Sequence, residues 1–201
     1  MKMSPLDRIL LLLTGLLAVY QVAFGIDGLP IAVVIAYTIG FGVLLIAGLL
    51  LIILGFEILD APAVVIVSTL IPLSLSTGLV WEHIASFRTI YLVFAILGFL
   101  TVSFTRLIPV AGKLSTILLA VVHGIAGMTI FLLPILLSLQ GQTNPLFSFV
   151  GIGGALIGVG GLLLSFLKAG HPILSRETIL KVLPVLLFLM TLSFIIGFRY
   201  G

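Results

Sequence analysis

Residues 114–167 decide the class of this protein. They read LSTILLAVVHGIAGMTIFLLPILLSL at 114–139, QGQTNP at 140–145 and LFSFVGIGGALIGVGGLLLSFL at 146–167, with no Asp, Glu, Lys or Arg. A helix that crosses a bilayer needs about 20 predominantly apolar residues, and the central polar cluster is a turn signal. The stretch therefore predicts two membrane-spanning helices joined by a short turn.

The rest of the chain has the same composition. Of 201 residues, 62% are hydrophobic and 7% are charged, whereas soluble domains have about 45–50% and about 25%. Such a chain cannot cover its apolar surface with polar side chains, so lipid must solvate it. The nine Lys and Arg residues are spread too thinly to bind nucleic acid. The absence of cysteine excludes disulfides and thiol catalysis.

The charged residues divide the sequence into candidate spans. Barrel strands are excluded because the apolar stretches are too long and do not alternate with polar residues. The sequence predicts an all-α membrane protein, a bundle of about seven transmembrane helices that forms one polytopic domain over residues 1–201. The predicted spans are residues 9–24, 30–56, 62–81, 89–105, 114–139, 146–167 and 178–198. The first resembles a secretory signal, and we interpret it as an uncleaved span.

The basic residues predict the orientation. Positively charged loops remain in the cytoplasm, which places the N-terminus inside and the C-terminus outside in a multi-pass protein of the cytoplasmic membrane. The aromatic residues Tyr20, Trp81, Tyr91 and Tyr200 then all lie at outer span ends. Only Arg88 and Arg199 lie outside in this arrangement, and the basic residues inside are Lys2, Arg8, Arg106, Lys113, Lys168, Arg176 and Lys181.

The sixth span carries small residues along one face. Gly151, Gly154, Gly158 and Gly161 recur at spacings of three and four residues, which is typical of helices that approach one another closely in lipid. We predict that these four glycines form a helix-packing face. The expected contact is within the chain, and the alternative is contact with a partner subunit.

Polar side chains inside the spans are few. His123 lies about 10 residues into the fifth span, which places it roughly 15 Å from the inner end and near the midplane. Polar side chains of the fifth span lie on the same helical face as His123, and polar side chains of the third span also lie on one face. Where these two faces meet, they are predicted to form a polar seam between the helices. Its candidate residues are Ser68, Thr69, Ser76, His83, Thr116, His123 and Ser138. The alternative is that the hydroxyls bond to carbonyls of their own helices.

No motif predicts catalysis or a metal site. The sequence lacks zinc-protease, nucleophile-elbow and phosphate-loop motifs. His83, His123 and His171 are predicted at different depths, which disfavours a bis-histidine haem. We therefore predict no enzyme, no metal and no cofactor, with haem b or a quinone as the alternative.

Three classes of function remain. The scarcity of charge and the small-residue faces favour an accessory or structural subunit of a larger membrane complex, such as an energy-transducing one. Its expected partners are the lipid bilayer and other membrane subunits or further copies of itself, with no nucleic acid. The first alternative is a small transporter or channel that uses the polar seam between spans three and five. The second is a haem- or quinone-binding membrane subunit.

Overall fold

The computed structural model describes residues 3–108, 114–168 and 172–200. Within these ranges it contains seven long α-helices and no strand, and 88% of the model is helical. All seven helices are long and apolar enough to cross a membrane, which confirms the predicted fold class. Their bounds are α1 Pro5–Phe24, α2 Ile31–Leu54, α3 Pro62–His83, α4 Arg88–Leu107, α5 Leu114–Leu139, α6 Ser148–Lys168 and α7 Arg176–Phe198.

Local chemistry explains where two of these helices differ from the predicted spans. Helix α1 begins at Pro5, before the charged residues that mark the predicted start, because Ser4 and Asp7 form a capping box. Helix α2 ends at Leu54 because Gly55 adopts a φ of 73°, in the left-handed region that glycine tolerates. A short 3₁₀ turn, Phe56–Asp60, then leads into α3.

Six helices form a closed ring around the core. Each packs against the next in the order α1, α2, α3, α5, α6, α7 and back to α1. Helix α4 lies outside this ring and packs on α3 and α5. Its buried residues, Ala95, Gly98 and Val102, follow one face, so most of α4 is left to face lipid.

Aromatic side chains fill one end of the ring. We call this the aromatic end, where α1, α3, α5 and α7 end, and the opposite end, which carries Arg8, Arg106 and Lys181, the basic end. The Phe198 ring centroid lies 6.1 Å from that of Phe41, 6.5 Å from that of Phe147 and 6.0 Å from that of Phe194. These contacts join α2, α7 and the 3₁₀ turn Pro145–Phe147 that precedes α6.

Separate apolar clusters complete the packing. One lies towards the basic end and joins α1, α2 and α7 through Leu11, Leu51 and Leu183. Another joins α3, α4 and α5 and includes Leu73, Val102 and Val122. The aromatic end therefore has one shared core, whereas the remaining apolar contacts fall into two groups.

Helices α5 and α6 approach closely over only part of their length. A Cβ atom on Gly154 would lie 2.9 Å from the Phe131 nitrogen, and one on Gly151 would lie 2.6 Å from the Phe131 oxygen. Gly158 and Gly161, also predicted for this packing face, have no atom within 4 Å of the corresponding position. The close contact is therefore made at the first two glycines and not at the last two.

We expect alanine at Gly154 and alanine at Gly158 to affect the unfolding temperature differently. Gly154→Ala should lower the unfolding temperature in detergent, because its Cβ would meet the α5 backbone, and overpacking typically costs about 1–3 kcal/mol. Gly158→Ala should leave the unfolding temperature unchanged or raise it, because the site is open and alanine favours helix. Equal effects of the two substitutions would contradict this description of the contact.

The predicted orientation can be tested by cysteine labelling, because the chain has no cysteine of its own. Gln142 is exposed in the turn between α5 and α6, and Ile173 is exposed before α7 at the basic end. With the N-terminus inside, a membrane-impermeant maleimide should label Gln142→Cys in intact cells and should label Ile173→Cys only after permeabilisation. The reverse pattern would invert the topology.

Candidate functional site

Three of the hydroxyls predicted to line the seam, all on α3, bond to their own helix. Thr69 donates to the Val65 carbonyl at 2.7 Å, Ser68 donates to the same carbonyl at 3.1 Å, and Ser76 donates to the Pro72 carbonyl at 2.6 Å. Such bonds satisfy a hydroxyl in lipid without a partner helix. These three residues therefore do not need a polar pathway to be stable at their positions.

Other predicted seam residues lie far apart. Thr116 is exposed in the first turn of α5. At the opposite end of this helix, the Ser138 hydroxyl lies 3.3 Å from the Thr143 hydroxyl and donates to the Asn144 carbonyl at 3.3 Å. Ser138 thus stabilises the turn that leads to α6. The structure does not bring these two residues into one seam.

Tyr91 supplies the polar link among α3, α4 and α5. Its hydroxyl donates to the Thr129 hydroxyl at 3.1 Å and also interacts with Ser76. The sequence analysis treated Tyr91 only as an interfacial aromatic residue. Its spacing from Ala95, Gly98 and Val102 places it on the packed face of α4, and this periodicity is the signal that could have identified it.

The principal cluster of ionisable groups lies at the aromatic end. Tyr37 donates a hydrogen bond of 3.2 Å to the Glu82 carboxylate oxygen Oε2, and His83 Nε2 lies 3.7 Å from the same oxygen. The side chains of His83 and Glu82 are only 13% and 19% exposed. His83, a predicted seam residue, instead lies beside Glu82 at the end of α3, where Tyr37 of α2 donates to the Glu82 carboxylate.

Three neighbours hold this cluster in place. The Phe198 ring lies 4.3 Å from the Tyr37 ring, and the Phe147 ring lies 5.1 Å from the His83 ring, measured between centroids. Gly78 on α3 faces Tyr37, and a Cβ atom there would lie 2.7 Å from the tyrosine Cδ1. The absence of a side chain at Gly78 therefore lets the buried phenol reach Glu82.

Arg88, the first residue of α4, follows this cluster by a few residues in the chain. Its Nε donates to the Trp81 carbonyl at 2.5 Å, and its guanidinium carbon lies 5.9 Å from the Trp81 ring centroid. The cation is thus paired with the backbone and ring of α3. This contact fixes the short 3₁₀ connection, Ala85–Phe87, between the two helices.

The side chains of this cluster are of types that can donate and accept protons. A carboxylate, a phenol and an imidazole within this range can exchange protons directly or through one water. A cavity of about 10 Å³, with room for about one water, is lined by Tyr37 together with Gln21 and Thr38, but not by Glu82 or His83. Among the described residues, no three His, Asp or Glu side chains are placed to hold a metal ion.

His83 and His123 are not placed to form a bis-histidine haem site. His83 is the last residue of α3 at the aromatic end, whereas His123 precedes the same end of α5 by 16 residues, or about 24 Å. Two axial ligands of one iron must lie at similar depth. His171 lies outside the described residues. The Nδ1 atom of His123 is buried without a hydrogen-bond partner.

Comparisons of the chain with protein-family models, with curated proteins and with solved structures found no match.

The Tyr37 hydroxyl can be tested by its removal. Tyr37→Phe leaves Glu82 without its phenol donor, and the loss of a partner to a buried polar group costs about 1–3 kcal/mol. We expect a lower unfolding temperature in detergent. Tyr20→Phe, at a tyrosine that is 43% exposed, is the matched control and should have little effect. Equal stability of the two variants would show that the Tyr37 bond to Glu82 contributes nothing.

Proposed function

We propose that this chain is an accessory subunit of a membrane complex and that it packs through α5 and α6 against a transmembrane helix of another subunit. The observation that carries the proposal is a set of uncovered glycines on two neighbouring helices. Positions Gly124 and Gly127 on α5, like Gly158 and Gly161 on α6, have no atom within 4 Å of a Cβ position.

The register of the two helices supports a common location for these glycines. Gly154 contacts Ile130 and Phe131, and the helices run in opposite directions. One helical turn further along α6, Gly158 is therefore level with Gly127 on α5. The next turn brings Gly161 level with Gly124. The four glycines thus lie at matching levels of α5 and α6, nearer the basic end than the close contact.

The physics of association in lipid favours a helix as the occupant of this surface. Helices gain little hydrophobic energy from one another in a bilayer, so close backbone approach at small residues drives their association. The chain uses such an approach at Gly151 and Gly154. An uncovered continuation of this glycine face offers the same contact to a helix from another chain.

A proton-coupled transporter is the second candidate. It is favoured by the buried Glu82 carboxylate between Tyr37 and His83, because ionisable residues within membranes often mark proton pathways. Ser68, Thr69 and Ser76 do not extend this cluster, since they bond within α3. The accessory role is therefore better supported. For either role we propose the cytoplasmic membrane, with the basic end inside.

Purification from the native membrane in mild detergent tests the accessory role. We expect a stoichiometric partner subunit to co-purify with the wild-type chain. The double variant Gly158→Leu and Gly161→Leu should lose this partner yet remain folded, because both positions are open in the isolated chain.

Gly42→Leu is the matched control, because Gly42 on α2 is also open and lies outside the proposed interface. This variant should retain the partner. Wild-type protein that purifies alone as a monomer would contradict the accessory role and favour the transporter. A symmetric homo-oligomer that the double variant disrupts would replace the partner subunit with a second copy of this chain.

A further inference from the structure

Three unsatisfied polar atoms lie on one pair of helices. In residues 3–108, 114–168 and 172–200, four buried side-chain polar atoms have no hydrogen-bond partner: His83 Nε2, Ser103 Oγ, Arg106 Nε and His123 Nδ1. The last three belong to α4 and α5, which are the least buried helices of the fold. Unsatisfied polar groups are costly in lipid, so their concentration here indicates a missing partner.

Two of these groups lie near the basic end of one helix. Ser103 and Arg106 are three residues apart on α4, so their side chains are neighbours on the helix surface. Arg106 lies one helical turn beyond Val102, on the packed face of α4. His123 lies deeper, because the adjacent Val122 packs against Gly98, two helical turns from Arg106.

The chemistry of Ser103 and Arg106 specifies what is missing. An arginine side chain only donates hydrogen bonds and is always charged, and a hydroxyl can donate. Arg88, at the other end of α4, donates to the Trp81 carbonyl, whereas Arg106 has no such acceptor in the part of the chain that the structure describes. The missing partner must therefore supply acceptor oxygens and negative charge.

The position of the site indicates an amphiphile. Arg106 is the penultimate residue of α4, which places it at the level of lipid headgroups. Phe104 and Leu107 flank it and are 60% and 72% exposed, so acyl chains could lie against them. A headgroup would thus reach the donors while its chains stayed in the bilayer.

We propose that Ser103 and Arg106 form a binding site for an anionic phospholipid at the basic end of the bundle. The lipid phosphate pairs with the Arg106 guanidinium, and the Ser103 hydroxyl donates to one of its ester oxygens. This site is independent of the glycine surface on α5 and α6, and it does not require a partner subunit.

Native mass spectrometry of the full chain in a neutral detergent tests the site. The titrants are phosphatidylglycerol and phosphatidylcholine with identical acyl chains. We expect the wild-type chain to bind the anionic lipid at least about tenfold more tightly, as a charge-assisted hydrogen bond allows. Arg106→Gln should abolish this preference. Arg88→Gln removes one positive charge from the other end of α4, and this variant should keep the preference for the anionic lipid.

Ser103→Ala keeps the charge and provides a second test if Arg106→Gln does not fold. It should weaken binding of the anionic lipid about threefold, as expected for one neutral hydrogen bond. The proposal would be overturned if the wild-type chain bound the two lipids with equal affinity, or if Arg106→Gln kept the preference for the anionic lipid. Inorganic phosphate that displaces the lipid at equal concentration would overturn the lipid as ligand, and displacement by a quinone would identify a neutral ligand instead.

Discussion

The close approach of α6 to both of its neighbours is the contact on which the closed ring depends. On one side, Gly151 and Gly154 admit the α5 backbone at Phe131. On the other side, Gly153 lies against Phe194, and Gly197 of α7 lies against Val150. Because lipid is as apolar as the side chains, burial alone would not hold these helices together. Interdigitated packing at glycines provides the specific attraction that closes the ring.

The same solvent dictates how polar groups are placed. A hydroxyl that bonds to a carbonyl of its own helix is satisfied wherever the helix lies, as Thr69 and Ser76 show. A carboxylate only accepts hydrogen bonds and cannot pair with a carbonyl of its own helix. Glu82 therefore accepts a hydrogen bond from Tyr37 on another helix. Arginine carries only donors, and the Arg106 Nε finds no acceptor among the described residues.

Much of the candidate site was beyond sequence reasoning. Glu82 and His83 are adjacent in the chain, but their burial depends on Tyr37 and Phe147, which come from distant segments. The seam between α3 and α5 was predicted from shared helical faces. Periodicity gives the face of a residue on its own helix, not its hydrogen-bond partner. The glycines of α6 illustrate the same limit, because Gly154 and Gly158 share a face but only Gly154 is packed.

The sequence by itself determined the class of the protein, because a chain with 62% hydrophobic and 7% charged residues can only be solvated by lipid, and a backbone in lipid must be helical. It also determined the number of helices, since charged and turn residues separate the apolar stretches. The tertiary structure alone decided that α4 lies outside the ring, that Gly151 and Gly154 but not Gly158 and Gly161 pack on α5, and that Tyr37 reaches Glu82. These features depend on which helices approach one another and how closely. Such distances arise from side-chain packing between segments far apart in the chain, and a one-dimensional pattern of apolar residues does not contain them.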